Sequence, residues 1–472
     1  MMPNQDYKLH HVSLLLNQGF SSPLFDLSTD PFFENWQKGP RTHGMLTEKG
    51  KSTIYDLGMA YKALYFEELD VISQDFDNDD ISIMAVGNER GVMSGQSFMQ
   101  GFYPLNDSSP LDSRVIVTPI LSSSPSDDCV LMPYYSCNSA QKNFESIQLT
   151  EEWLEMEQRE GSFLQSISNI FSVSPPISLA TINQIYNPIS SDIDEFGKME
   201  VLDTLGLSDE DWDRLSSDYR FVVQQMYPIS NPMAQLLGSQ GLKRILADID
   251  GFISGKDVSK DFSKMHFYFG NPESFLSLFS VLGVRDISTP VPASLLEFNL
   301  FKLVESSSEE FDEEYMDIVS RTKGTDPDDG WVVTVVYNGY YLTTGSIDDF
   351  ANNACVDADT IVERSKPSNC PGADGILSPG NYSLTLFRLF VDSLPNESEW
   401  RSLCSSDSAP IPLRDIPTEM TWWACMLITV AVLAVIIGGI VFISRWVHSS
   451  NRRQVIQKEY TSIADDKSIV TV

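Results

Sequence analysis

Reactive chemistry in this chain has one natural place to start. An apolar run from Val12 to Leu16 stops at Asn17-Gln18-Gly19, and Phe20-Ser21-Ser22-Pro23 follows. Such a run, broken by glycine and proline, reads as a buried strand ending in a tight loop. Ligands in open α/β sheets sit beyond the carboxyl ends of strands, so this loop marks a candidate site. Its groups are amides and hydroxyls. The amide nitrogen of Gln18 has a delocalised lone pair and its oxygen only accepts, so Gln18 is no nucleophile. Asn17 and Ser21 donate neutral bonds, weaker than the bidentate bonds of an arginine. Arg90, after a second strand pattern (Ile81–Val86), reads either as a cation placed to bind an anion or as a buried arginine paired with a carboxylate. Asn271-Pro272-Glu273 follows a third (Met265–Phe269). Pro272 has no ionisable group, and Glu273 fits a helix cap better than a displaced acid.

The other motifs are negative. The five histidines are His10, His11, His43, His266 and His448. The first two open the first strand, His266 starts another, and His43 lies in Arg41-Thr42-His43-Gly44, ahead of a helix pattern. There is no GxSxG, HExxH, phosphate loop or EF-hand pattern, and no zinc spacing among the cysteines. No metal and no cofactor is expected.

Several elements must hold these residues. Ile54, Leu57, Tyr61, Leu64 and Tyr65 fall on one helical face within Pro40–Asp70, with Thr47 as N-cap. A helix-like stretch runs from Gly91 to Pro104. Val115–Pro119 reads as a strand, Ser122–Asp128 as a polar loop, and 138–256 as a helical insertion with a Ser/Pro break at Ser172–Ser178. Gly270–Ser274 reads as a loop before an apolar helix ending at Gly283. A β-like run reaches Leu303, Ser306–Asp329 is a polar excursion, and Trp331–Tyr337 is a strong strand.

Taken in order, these blocks resemble the histidine acid phosphatases of the histidine phosphatase superfamily. That family carries an apolar strand and Arg-His-Gly-x-Arg-x-Pro; here the positions are Asn17 to Pro23. It carries a tryptophan, Gly-x-Leu-Thr-x-x-Gly and Leu-Gly; here Trp36, Gly44 to Thr47, Gly50 and Leu57-Gly58 match. Its arginine with Ser-Ala-x-x-Phe-x-x-Gly-x-x-Pro is similar to Arg90, Ser94-Gly95, Phe98, Gly101 and Pro104. Its Tyr-x-x-His-Asp meets Tyr268 and Asn271-Pro272. The likeness spans most of Leu14–Cys404.

The resemblance implies a doubly wound α/β fold with a mixed sheet and an inserted helical cap. It implies phosphoryl transfer to histidine and then to water, with Arg90 contacting phosphate. It also implies that nucleophile, both loop arginines and general acid are lost at Asn17, Gln18, Ser21, Asn271 and Pro272. Loss of a nucleophile alone costs on the order of 10⁴ in rate or more. The expectation is a degenerate, catalytically inactive member acting by binding or structure; the alternative is a weak acid phosphatase acting on phosphate monoesters. The likeness further implies disulfides Cys137–Cys404 and Cys355–Cys370.

Charge and hydropathy bound the setting. The net charge of −34 argues against nucleic acid or anionic lipid as partners. Met420 to Ser444 carries no charged residue, and a span needs about 20 such residues, so 421–444 reads as a transmembrane helix. Trp422 and Trp423 flank one end, and Arg445, Arg452 and Arg453 the other, which puts residues 1–420 outside the cytosol and 445–472 inside it. Sequons at Asn106, Asn381 and Asn396 precede the span and none follows it. Met1–His11 offers no apolar signal core. A missing or cleaved leader is the favoured reconciliation, and tail-first insertion with the bulk in the cytosol the other. Tyr460-Thr461-Ser462-Ile463 fits a tyrosine sorting motif read by adaptor proteins. The expectation is a single-pass type I glycoprotein of lysosome, endosome or plasma membrane, similar to the family's membrane-anchored lysosomal acid phosphatase-like branch, with homodimerisation left open.

Overall fold

A computed structural model describes residues 7–405 apart from 28, 39–42, 70, 73–76, 78, 105–117, 230, 255–262, 285–288, 304–327, 329, 343, 345–346, 348–375 and 379. The chain divides into units 1–411 and 412–472, and every described residue lies in the first. Among the described residues no helix is long and apolar enough to cross a membrane. The predicted span 421–444, the sorting motif Tyr460–Ile463, Asn106, Cys355 and Cys370 lie outside the described residues.

A nine-stranded mixed sheet organises the unit, in the order β3-β2-β4-β1-β5-β6-β9-β8, with β7 beside β6. β1 (Tyr7–Asn17), β2 (Ile81–Val86), β3 (Leu121–Ser123) and β4 (Met265–Gly270) form the parallel half. β5 (Leu295–Leu303), β6 (Trp331–Tyr337), β7 (Tyr340–Tyr341), β8 (Ile376–Ser378) and β9 (Asn381–Ser383) form the antiparallel half. The register sets Asn17 of β1 opposite Gly270 of β4, so their carboxyl ends finish side by side.

Period-two alternation sorts β1 between two cores. Val12, Leu14 and Leu16 face α2 (Glu48–Lys62) and α3 (Glu89–Phe102), where Ile54, Phe98 and Phe102 complete an aromatic-rich cluster. Leu15 faces the other way, toward α10 (Pro232–Ser254), α11 (Pro272–Leu282) and α12 (Leu384–Ser393). Helices cover both faces, as a sheet with a buried parallel half requires.

The helical insertion comprises α4 (Pro133–Ser136), α5 (Asn138–Ile147), α6 (Glu151–Ile170), α7 (Asn183–Phe196), α8 (Lys198–Leu205) and α9 (Asp209–Met226). Its core is separate from the two sheet clusters, but it takes in Leu27 and Phe32 from the loop that follows β1. The expected insertion 138–256 also takes in α10, which lies in a sheet cluster rather than in the cap core. Helix α10 packs on α11 and β1 because its apolar residues Leu236, Leu242 and Ile245 face the sheet cluster. Cys137, at the entry to the cap, is disulfide-bonded to Cys404 in α13 (Glu397–Ser405), the pair the family likeness implied.

Two local expectations differ from the structure. Strand β3, Leu121–Ser123, takes in the start of the expected polar loop Ser122–Asp128; of the expected strand Val115–Pro119, 115–117 are outside the described residues and 118–119 are not strand. The expected loop Gly270–Ser274 is helical from Pro272 onward. Asn271 is its N-cap, accepting from Ser274 N, and proline at the first position loses no intrahelical bond.

Candidate functional site

The loop after β1 is held open by a second segment. Ser22 N–H donates to Met45 O at 2.8 Å, Met45 N–H to Ser22 Oγ at 3.0 Å, and Thr47 N–H to Phe20 O at 2.9 Å. Ser21 forms an antiparallel bridge with Leu46. Thr47 then caps α2 through Gly50 N. The fit is tight: a Cβ on Gly50 would lie 2.2 Å from Phe20 O, and one on Gly19 2.6 Å from Gly50 O. Glycine is required here by close approach of two backbones.

This clamp delivers Asn17 and Gln18 to the carboxyl edge of the sheet, beside Asn271 after β4 and Gly87-Asn88-Glu89-Arg90 after β2. Gln18 is 5 % exposed, and its Oε1 is buried with no hydrogen-bond partner. Arg90 is the second residue of α3, whose N-cap Asn88 accepts from Gly91 N at 2.8 Å. Its guanidinium reaches the clamp, since a Cβ on Gly44 would lie 3.4 Å from Nη1. Burial draws Arg90 below its usual value, against the pull of Glu273 and Tyr135.

Asn17 and Asn271 are engaged elsewhere than expected. The Asn17 amide donates to Pro290 O at 3.1 Å and Val291 O at 2.7 Å, which ties the end of β1 to the entry of β5. The Asn271 side chain serves the helix start, and its Nδ2 donates to Met132 Sδ. Pro272 is the first residue of α11.

Glu273 comes next in that first turn. Burial raises its carboxyl above the ordinary range, while its own backbone N–H and Arg90 oppose the shift. Its charge is the main cause raising the Tyr135 phenol, and adds to burial in raising Tyr219 and Tyr227. The Tyr227 hydroxyl is buried without a hydrogen-bond partner. Three phenols, Tyr135 in α4, Tyr219 in α9 and Tyr227 just after it, thus share the field of the Glu273 carboxyl, and Tyr135 that of Arg90 as well. Sequence reasoning did not find these tyrosines, because Tyr135, Tyr219 and Tyr227 share no motif and meet only through folding. An open cleft of about 710 Å³ lies at the start of α3, lined by Met45, Asn88, Glu89, Met93 and Ser122 to Ser124 among others; Arg90 is not part of its lining.

Of the described histidines, His11 and His266 stand away from this edge, and His43 precedes the Gly44 that abuts Arg90. His266 stands at the start of β4, roughly 13 Å along the strand from Gly270. His11 is seven residues before Gln18, and its ring meets His266 at 5.2 Å. His43 is exposed and pairs with Asp26 at 3.3 Å. No group of three metal-ligating side chains forms among the described residues. Of the sequons described, Asn396 is exposed and caps α13 through Glu399 N, whereas Asn381 is 9 % exposed inside β9.

A profile of the histidine phosphatase superfamily (branch 2) matches residues 26–306, more than half of the sequence. The chain belongs to that superfamily. Its fold is similar to solved phytases at low identity. Hafnia alvei phytase, solved with tartrate, superposes with a TM-score of 0.54 at 13% identity, over 84% of this chain and 99% of its own. Citrobacter braakii phytase gives 0.51 at 13%, over the same shares. No curated protein matches the sequence.

Proposed function

We propose that this protein is a histidine phosphatase fold that holds an anionic ligand without hydrolysing it. One observation carries the reading. A buried amide, Gln18, stands at the carboxyl end of β1, where the family likeness places the histidine that takes the phosphoryl group. An amide cannot carry a phosphoryl intermediate. The proton donor is missing as well, since Pro272 ionises nowhere and Asn271 is spent as a helix cap. Arg90 remains, with no hydrogen bond or ion pair to another described residue, and supplies the anion contact. We further propose that the 421–444 span and the Tyr460 motif carry the fold through the endosomal membrane system, as in the lysosomal acid phosphatase-like branch. That part rests on sequence alone.

The test is an assay of the full chain with p-nitrophenyl phosphate and inositol hexakisphosphate between pH 4 and 7, beside calorimetric titration with inorganic phosphate. The expected result is no turnover, with phosphate binding that disappears in Arg90→Ala. Turnover abolished by Arg90→Ala would reject the reading. A second reading, weak hydrolysis through His43, has one point in its favour: the neighbouring Gly44 abuts the Arg90 guanidinium. Turnover lost in His43→Ala would establish it.

A further inference from the structure

We infer that Asp30 and Asp192 form a proton-sharing latch that fastens the loop behind the site to the cap in acid and loosens it toward neutral and basic pH. Asp30 belongs to the loop after β1, just before the short helix α1 (Phe33–Lys38), and Asp192 to cap helix α7. They are 8 % and 1 % exposed. The two carboxyls interact electrostatically at the junction that Phe32 and Trp36 make with α7, close enough to share a hydrogen bond once one of them carries a proton. Ionised carboxylates only accept, so that bond needs a proton on one of them. With both ionised, Asp192 Oδ2 is buried without a donor. The remaining oxygens are matched: Trp36 Nε1–H donates to Asp192 Oδ1 at 2.7 Å, and Phe32 N–H to Asp30 Oδ1 at 2.9 Å.

The pair sits where several contacts tie the loop to α7. Phe32 stacks on Phe196 of α7 at 5.0 Å, and Leu24 N–H donates to Asn187 Oδ1 at 2.7 Å. The same helix receives Thr47 Oγ1 at Glu195 Oε2, 3.1 Å, and Lys49 Nζ at the Asp194 carbonyl. Helix α7 therefore holds described residues on both sides of Gly44, from Leu24, Phe32 and Trp36 to Thr47 and Lys49. Other ionisable groups near the junction are Asp194, Glu195, Lys49 and the exposed Asp26–His43 pair. Burial first, then the charge of Asp30, pushes the Asp192 carboxyl up to about 8. Burial, opposed by Lys49, moves Asp194 to about 6.

The direction follows from linkage. A carboxyl whose value is raised in the closed state favours closure fully below its ordinary value. That advantage is lost as pH rises to the raised value, and no further change follows above it. The inference is independent of which ligand the site takes.

Hydrogen–deuterium exchange of the full chain tests it, read on peptides covering 29–36 and 183–196 and corrected for intrinsic rates. Opening should rise by up to about tenfold per pH unit between about 5 and 8, then level off. Asp192→Asn keeps an acceptor for Trp36 and gives Asp30 a donor without a shared proton, so its rise should stay within about twofold. Asp30→Asn should behave alike and serves if the first variant does not fold. Asp194→Asn should keep the wild-type rise from pH 6 to 8. A flat wild-type profile, or a wild-type rise in both Asp30 and Asp192 variants, would overturn the latch.

Discussion

The backbone N–H of Gln18 donates to Gly270 O at 3.2 Å, while its carbonyl accepts from Ala293 N–H, also at 3.2 Å. The residue at the end of β1 is thus pinned from both neighbouring strand connections, whatever its side chain. Restoring a ring there should leave the fold intact and the chemistry absent. In Gln18→His, p-nitrophenyl phosphate hydrolysis should stay at the uncatalysed rate, because Asn17 and Ser21 cannot clamp a dianion and Pro272 cannot protonate a leaving oxygen. Measurable turnover in that single variant would mean that the missing acid and clamp are supplied by residues not identified here.

The clamp between Gly50 and Phe20 leaves no room for a methyl group. Gly50→Ala should destabilise the unit by at least about 2 kcal/mol, since the obstructing atom is a backbone carbonyl that cannot rotate away. Thermal melting checks the stability. Phosphate titration should weaken in parallel, because the same shift moves Gly44 off Arg90.

Cys137 and Cys404 close a loop of 267 residues in sequence separation. Cys137→Ser should cost about 2–5 kcal/mol in urea unfolding, chiefly by freeing the unfolded chain. A reductant should lower the wild type toward the variant and leave the variant unchanged.

His11 is buried, and burial lowers its imidazole from 6.5 to about 4; burial lowers His266 further, with His11 and Arg244 adding to it. Both rings are neutral in the fold at neutral pH. As pH falls below 6.5 the unfolded chain takes protons first, so stability drops progressively down to about pH 4. The contribution of His11 amounts to roughly 3 kcal/mol over that window. His11→Gln should be less stable than wild type at pH 7, and the gap should narrow by about 2–3 kcal/mol at pH 4.5. Asp192 works in the opposite sense, so each pH requires the wild type beside the variant.

Much of the scaffold was legible before any coordinates. Ile81–Val86 and Trp331–Tyr337 stand out because continuous β-branched and apolar residues leave them nowhere but a buried sheet. Thr47 was legible as a cap because a hydroxyl three residues before Gly50 can meet its N–H. Leu121–Ser123 was not, since an exposed, serine-rich edge strand looks like a loop. The helix start at Pro272 was readable from Asn271-Pro272 but was masked by the expectation of a catalytic loop there. The chemistry of Gln18 and Arg90 could be argued from residue type. The direction of the Asn17 amide could not, because it depends on Pro290 and Val291, more than 270 residues away.

That amide has a consequence for any attempt to rebuild a catalyst. Asn17 now works as a structural rivet, 2 % exposed and closing two carbonyls of the β5 entry. An arginine installed at this position must first break those bonds and bring a charge into a space shaped for a short neutral group. A change at Asn17 made for hydrolysis therefore begins by weakening the frame it needs. Asn17 is a joint of the scaffold, so a substitution made there for the sake of chemistry is at the same time a change to what keeps the molecule assembled.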